Sequence, residues 1–169
     1  MRTDGRQAND LRPVTIEPDY SIYADGSVLI SIGNTRVLCN LTIEEGVPRW
    51  MHVQGKVGGW LTGEYNMLPR STIQRTPRET TPGGRTMEIK RLIGRSLRAS
   101  IDLSRLGPLT LTIDCDVIQA DGGTRTAAIT GGYLALALGI NKLISAGRLP
   151  ADFHLEPVAA VRNDLVIRS

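Results

Sequence analysis

The stretch LTLTIDCDVIQADGGTRTAAITGGYLALALGINKLISAG, residues 109–147, constrains the fold of this chain more than any other. Leu109, Leu111, Ile113, Cys115 and Val117 alternate with Thr110, Thr112, Asp114 and Asp116, which predicts a strand with one apolar and one polar face. An Asp-Gly-Gly turn follows. An alanine- and leucine-rich run then predicts a helix from about Thr124 to Ala146, stopped by Gly147 with Pro150 beyond. A strand handed through glycines to a helix calls for a sheet layer with helices packed on it.

The upstream sequence supplies partners for that unit. SVLISIGNTRVLCNLTIEE reads as a hairpin about Gly33-Asn34, a pair that accepts positive φ. Val47 to Gly59 is loop-like, WLTGEYNMLP is a further short strand, and Arg70 to Gly84 is a mobile basic loop rich in proline, threonine and glycine. From Thr86 a second helical period begins, with Ile89, Leu92, Ile93, Leu97 and Ile101 on one side and Lys90, Arg91, Arg95 and Arg98 on the others. Arg85 stands just before its first turn, and Gly107-Pro108 ends the unit. The expected order is hairpin, strand, basic loop, helix, strand, helix and a short final strand. That is one α+β domain, a fitting number for 169 residues.

Charge narrows the function. Between Arg70 and Arg98 eight arginines and lysines face two glutamates, although the whole chain carries only +3. Such a patch is the footprint of a polyanion site, or else a solvated helix face without a ligand. The N-terminus is polar and unlike a signal peptide, and the longest apolar run, Tyr133 to Ile140, is far short of the roughly 20 residues of a membrane span. Cys39 and Cys115 lie in strand-like segments and read as buried free thiols, so the expected compartment is the reducing cytoplasm, with no membrane partner.

Among sites for chemistry, a phosphate-binding Gly-x-x-x-x-Gly-Lys-Ser/Thr loop, a Gly-x-Ser-x-Gly elbow and a Cys-x-x-Cys pair are all absent. His52 and His154 are expected at the surface. Asp114 and Asp116 share one strand face, where they could hold magnesium, share a proton, or pair with arginines and backbone donors. Asp121 is expected to shape the glycine turn through an Asx-type bond. Gly122-Gly123-Thr124-Arg125 is the strongest candidate. Glycines bring N–H groups close to a ligand, Thr124 caps the helix and offers its hydroxyl, and Arg125 adds a bidentate donor for phosphate. Arg85 would double the charge if the two helix N-termini meet. Such a site suits a free phosphate dianion.

The stretches MRTDGR, GRTMEIKRLIGRSLRA (84–99) and IDCDVIQADGGTRTA (113–127) resemble ribonuclease PH, and the resemblance runs from Met1 to about Val161. It implies a ribonuclease PH-type β-α fold of mixed sheets with packed helices, incomplete in its C-terminal part. The activity implied is that of a phosphorolytic 3′-to-5′ exoribonuclease, or tRNA nucleotidyltransferase. Inorganic phosphate would be its co-substrate, transfer RNA precursors its RNA, tRNA and rRNA processing its role, and a hexameric trimer of dimers its assembly. By the same resemblance Arg85, Gly123, Thr124 and Arg125 would bind phosphate, and Arg70, Arg75 and Arg78 would bind RNA. The family's magnesium aspartates would lie beyond Ser169, so the Mg2+ ligands are absent from this chain. The family-like domain would span residues 1–161, with RNDLVIRS (162–169) a non-family tail. The expectation is therefore a truncated product with impaired phosphorolysis, the alternative being a non-catalytic RNA-binding or assembly subunit.

Overall fold

The computed structural model describes residues 6–7, 10–78 and 81–161; MRTDGR up to Gly5 and the tail from Arg162 lie outside the described residues. Five strands form one mixed sheet in the order β1-β2-β3-β5-β4: β1 Val14–Pro18, β2 Gly26–Ile32, β3 Thr35–Glu45, β4 Trp60–Met67 and β5 Leu109–Gln119. The expected hairpin is β2–β3, with Ile32 opposite Thr35 across Gly33-Asn34 and Gly33 at φ 58°. β3 pairs antiparallel with β5, while β4 runs parallel to β5, so the chain crosses between them by way of a helix.

That crossover is α2, Gly84–Arg98; α3 spans Thr124–Ser145, and α1 is a single turn, Arg49–Val53. The helix expected from Thr86 begins two residues earlier, so Arg85 lies inside its first turn rather than before it; its apolar face buries Ile89, Ile93 and Leu97. α2 lies over β4 and α3 over β2 and β3, and the two helices touch. α3 is long and apolar enough by composition to cross a bilayer, yet eleven of its residues are buried in the domain. Its small residues explain how closely it sits. A Cβ on Gly26 would overlap the carbonyl oxygen of Ala135, and one on Gly139 would overlap Leu41. The core is aliphatic, as a chain with seven aromatics requires: Val28, Ile30, Leu41, Leu61, Leu111, Ile113, Leu136 and Ile140 are all almost fully buried.

Three further local expectations differ from the structure. β1 was not expected; its five residues are all exposed, and its backbone pairing to β2 is what makes it a strand. The Val47–Gly59 loop contains α1, whose Met51 is buried and anchors the turn, so His52 stands on a short exposed helix. The final segment is no strand. Residues 153–161 instead run across the helices, with Glu156 N–H donating to Ser100 O and Ala160 N–H to Thr130 Oγ1. Val158 and Ala160 pack there against the core.

Candidate functional site

β5 delivers the chain to one end of the sheet and α3 carries it back, so the Gly-Gly turn sits at the end of an interior strand. Gly122 and Gly123 have φ of 80° and 73°, a left-handed pair that side chains resist. The rest of the fold fastens this turn. Thr35 Oγ1 accepts from Asp121 N–H at 2.9 Å and donates to Gly122 O at 2.6 Å. Asn34 donates to Asp121 Oδ2 at 3.2 Å, and the Arg12 guanidinium donates to Asp121 O. Asp121 thus shapes the turn through bonds to residues about ninety positions away rather than through its own local backbone.

Both helices pointing at the site begin at glycine: Gly83 is the N-cap of α2 and Gly123 of α3. A glycine cap has no side chain to satisfy the first-turn N–H groups, which with the helix dipole favour an anion. Thr124 is therefore the first helical residue and not the cap. It is buried, and its Oγ1 accepts a 2.9 Å hydrogen bond from the Tyr65 hydroxyl on β4. With Tyr65 as donor, the threonine O–H proton is left to point elsewhere.

The two N-termini do meet. Arg125 pairs with Glu88 of α2 at 3.0 Å. Tyr65 lies within the field of both Arg85 and Arg125; burial raises its pKa, and the Thr124 hydrogen bond and the two guanidiniums partly oppose this. Arg85 is exposed and makes no hydrogen bond or ion pair among the described residues. The arrangement offers two helix ends, a hydroxyl and two guanidiniums to one small anion.

The basic loop springs from beside this turn: Ser71 is buried, and its carbonyl accepts from Ala120 N–H at 2.8 Å. Arg70 donates to Ile73 O at 3.0 Å, while Arg75 and Arg78 are exposed and, among the described residues, no hydrogen bond or ion pair joins them to Arg85 or Arg125. The structure thus roots the loop at the site and leaves its arginines in solvent.

A cavity of about 250 Å³ is lined by Tyr65 and Thr86 together with Glu64, Lys90, Asp114 and Asp116. Glu64 is tied to Lys90. Burial, then the neighbouring carboxylates of Asp116 and Glu64, raise the pKa of Asp114 against the pull of Lys90; burial likewise raises Asp116. Among the described residues no group of three or more His, Cys, Asp or Glu side chains is close enough to hold a metal ion. The magnesium implied by the resemblance finds no fitting donor set among the described residues.

Tyr65, Glu88, Arg12 and Thr35 are the site residues that the sequence did not single out. Arg85 and Glu88, three apart at the start of one helix, were the single local sign that a carboxylate would stand beside the cations.

Residues 10–139 match the family model described as RNase_PH, 3′ exoribonuclease family, domain 1. Over 164 residues the chain is 56% identical to ribonuclease PH of Bacillus subtilis, covering 95% of this chain and 66% of that protein. Among solved structures it is similar to an Archaeoglobus fulgidus exosome with RNA bound to the active site, at a TM-score of 0.69 and 24% identity over 80% of this chain and 54% of that one. An archaeal exosome core gives 0.63 and 23% over 80% and 51%. At such identities the solved structures establish a shared fold.

Proposed function

This chain belongs to the ribonuclease PH family of 3′ exoribonucleases, and on that premise we propose that it shortens RNA from the 3′ end by phosphorolysis. Inorganic phosphate is seated by Gly123 and Thr124 at the start of α3 and by Arg85 and Arg125. Arg70, Arg75 and Arg78 hold the RNA backbone. An oxygen of the bound phosphate attacks the terminal phosphorus in line, the bond from that phosphorus to the penultimate O3′ breaks, O3′ takes up a proton, and a nucleoside diphosphate leaves. The attacking anion needs no histidine base, so the protein's task is positioning and charge compensation.

The observation that carries this reading is the meeting of two glycine-capped helix ends with Arg85 and Arg125 beside one tyrosine. The finer parts rest on family membership. The RNA is the 3′ extension of a transfer RNA precursor, the assembly is a trimer of dimers, the compartment is the cytoplasm, and residues 1–161 form the family-like domain. The exposed Val14, Ile16, Tyr20, Ile22 and Tyr23 along and after edge strand β1 support assembly, because such a patch gains by being covered.

The test is an assay of oligouridylate and tRNA-precursor shortening with phosphate and magnesium. Phosphate-dependent release of nucleoside diphosphate is expected. RNA binding with no such product would overturn the catalytic reading and leave a binding subunit.

A further inference from the structure

The end of the domain opposite the Gly-Gly turn carries a second arrangement that the phosphate seat does not use. Along α2, Arg85 and Arg98 are separated by about 20 Å at 1.5 Å per residue. At its far end four side chains alternate cation, ring, ring, cation. Lys56 Nζ stands 5.0 Å from the Trp50 ring centroid, Trp50 and Trp60 meet edge to face at 5.0 Å and 87°, and the Arg98 guanidinium lies 4.8 Å over Trp60.

The two halves of this stack differ. The inner half is built in: Arg98 donates to Leu61 O at 2.9 Å, and Gly59 N–H donates to Leu103 O at 2.8 Å, fixing the start of β4. The outer half is presented to solvent on a firm base. Buried Met51 anchors α1, and Lys56 N–H donates to Met51 O at 3.0 Å, so the backbone beneath Trp50 is held. The Trp50 side chain is nevertheless 37% exposed, Val53 78% and Val57 90%, and Lys56 makes no ion pair among the described residues. The segment from Gly46 to Trp60 carries Arg49, His52 and Lys56 and no acidic residue, and exposed Arg95 lies one turn before Arg98.

We infer that Trp50, with Arg49 and Lys56, is a stacking platform for single-stranded RNA upstream of the 3′ end that the phosphate seat receives. Every base has a face that stacks on an aromatic ring, and the adjoining phosphates find Arg49 and Lys56 on a segment that carries no acidic residue of its own. Lys56 leaves the ring to meet a phosphate as a base takes its place. Distance gives the platform its use. A strand held at its terminal phosphodiester and again about 20 Å away is kept from leaving between cycles. The inference rests on the RNA-shortening reading for the identity of its ligand.

Trp50 and Trp60 are the chain's two tryptophans, so intrinsic emission reports this place. An oligouridylate of about ten nucleotides, within the usual range for single-strand sites, is titrated into the full chain without phosphate. Tryptophan emission and the anisotropy of a fluorophore on the RNA are followed together. Saturable quenching is expected at the same midpoint as the anisotropy change. Trp50→Ala should weaken binding about tenfold, as loss of one stacked base does. Lys56→Glu, an exposed change without risk to folding, should weaken it several-fold, whereas Trp50→Phe should retain most of the affinity. Anisotropy change with unaltered emission, and with Trp50→Ala binding as the parent does, would overturn the platform while leaving the RNA-shortening reading intact. Absence of binding by both signals would overturn both. Quenching by anionic lipid vesicles but not by RNA would mark the surface as a membrane contact and overturn the inference.

Discussion

Arg125 of α3 and Glu88 of α2 face each other at 3.0 Å across the meeting point of two helix N-termini. A carboxylate there is unexpected, since both helix dipoles and both arginines favour an incoming anion. It holds the Arg125 guanidinium in one orientation and places a negative charge beside the proposed phosphate seat. Both side chains are partly exposed, so the pair contributes little to stability, at most about 1 kcal/mol. Its consequence is for binding.

Glu88→Gln keeps an acceptor oxygen for the guanidinium and removes the charge. Phosphate affinity should rise about threefold, a few tenths to 1 kcal/mol of relieved repulsion. Glu88→Ala loses the acceptor as well and should bind phosphate no better than the parent. Calorimetric titration with inorganic phosphate measures both, and thermal melting should show the two variants within about 2 °C of the parent, in keeping with a weak surface pair.

In the proposed reaction Arg85 and Arg125 would each present a planar, two-pronged donor to the phosphate, which a lysine does not. Arg85→Lys and Arg125→Lys should each lower phosphate-dependent turnover by about a hundredfold, the scale of losing one preorganised donor. The loss should appear in the phosphate dependence, with RNA affinity changed little. Equal weakening of RNA binding by both changes would place these arginines on the RNA instead.

How far the sequence reveals this arrangement depends on how local each feature is. β5 and α3 follow from adjacent residues: Leu109 to Val117 alternate, and Gly122-Gly123 supplies the positive φ that the turn needs. β1 escapes such reading because VTIEP, flanked by Pro13 and ending at Pro18, has no buried side chain and is a strand solely through β2. The short final strand expected after α3 fails for a related reason: local composition does not show whether a neighbouring strand will pair, and residues 153–161 cross the helices instead. The residues proposed to seat phosphate are consecutive or at a helix start, so their grouping is legible in sequence. Tyr65 and Glu88 reach them from β4 and α2, and Thr35 from the β2–β3 turn, so they appear only when the sheet order brings those elements together.

Tyr65→Phe isolates one such contact. The hydroxyl lost is buried and bonded to Thr124 at 2.9 Å, and its removal leaves the buried threonine oxygen without that donor. The change should destabilise the chain by about 1–2 kcal/mol in urea unfolding, with the slope on denaturant unaltered. Phosphate affinity should fall too, because Thr124 loses the bond that fixes its hydroxyl. A variant as stable as the parent would show that the bond is not formed in solution.

Asp114, with Asp116 beside it on the sheet's polar face, has a pKa raised by burial. Burial, with Asp116 and Glu64 nearby, holds its folded-state pKa above the usual 3.8, so folding favours the protonated form. A group raised in this way contributes stability that is present in full below its unfolded pKa and is lost as pH rises through the folded value. At neutral pH the ionised Asp114 is therefore a burden on the fold, discounted because the side chain is only half-buried. Asp114→Asn removes the ionisation and keeps the shape. It should stabilise the chain by a few tenths to about 1 kcal/mol at pH 7, and the gain should shrink as pH falls through the folded pKa and vanish below about 3.8. Urea unfolding of the variant and parent, run side by side across that range, measures it. A gain independent of pH would assign the effect to packing, and a loss at pH 7 would mean that the pull of Lys90 on Asp114 outweighs burial.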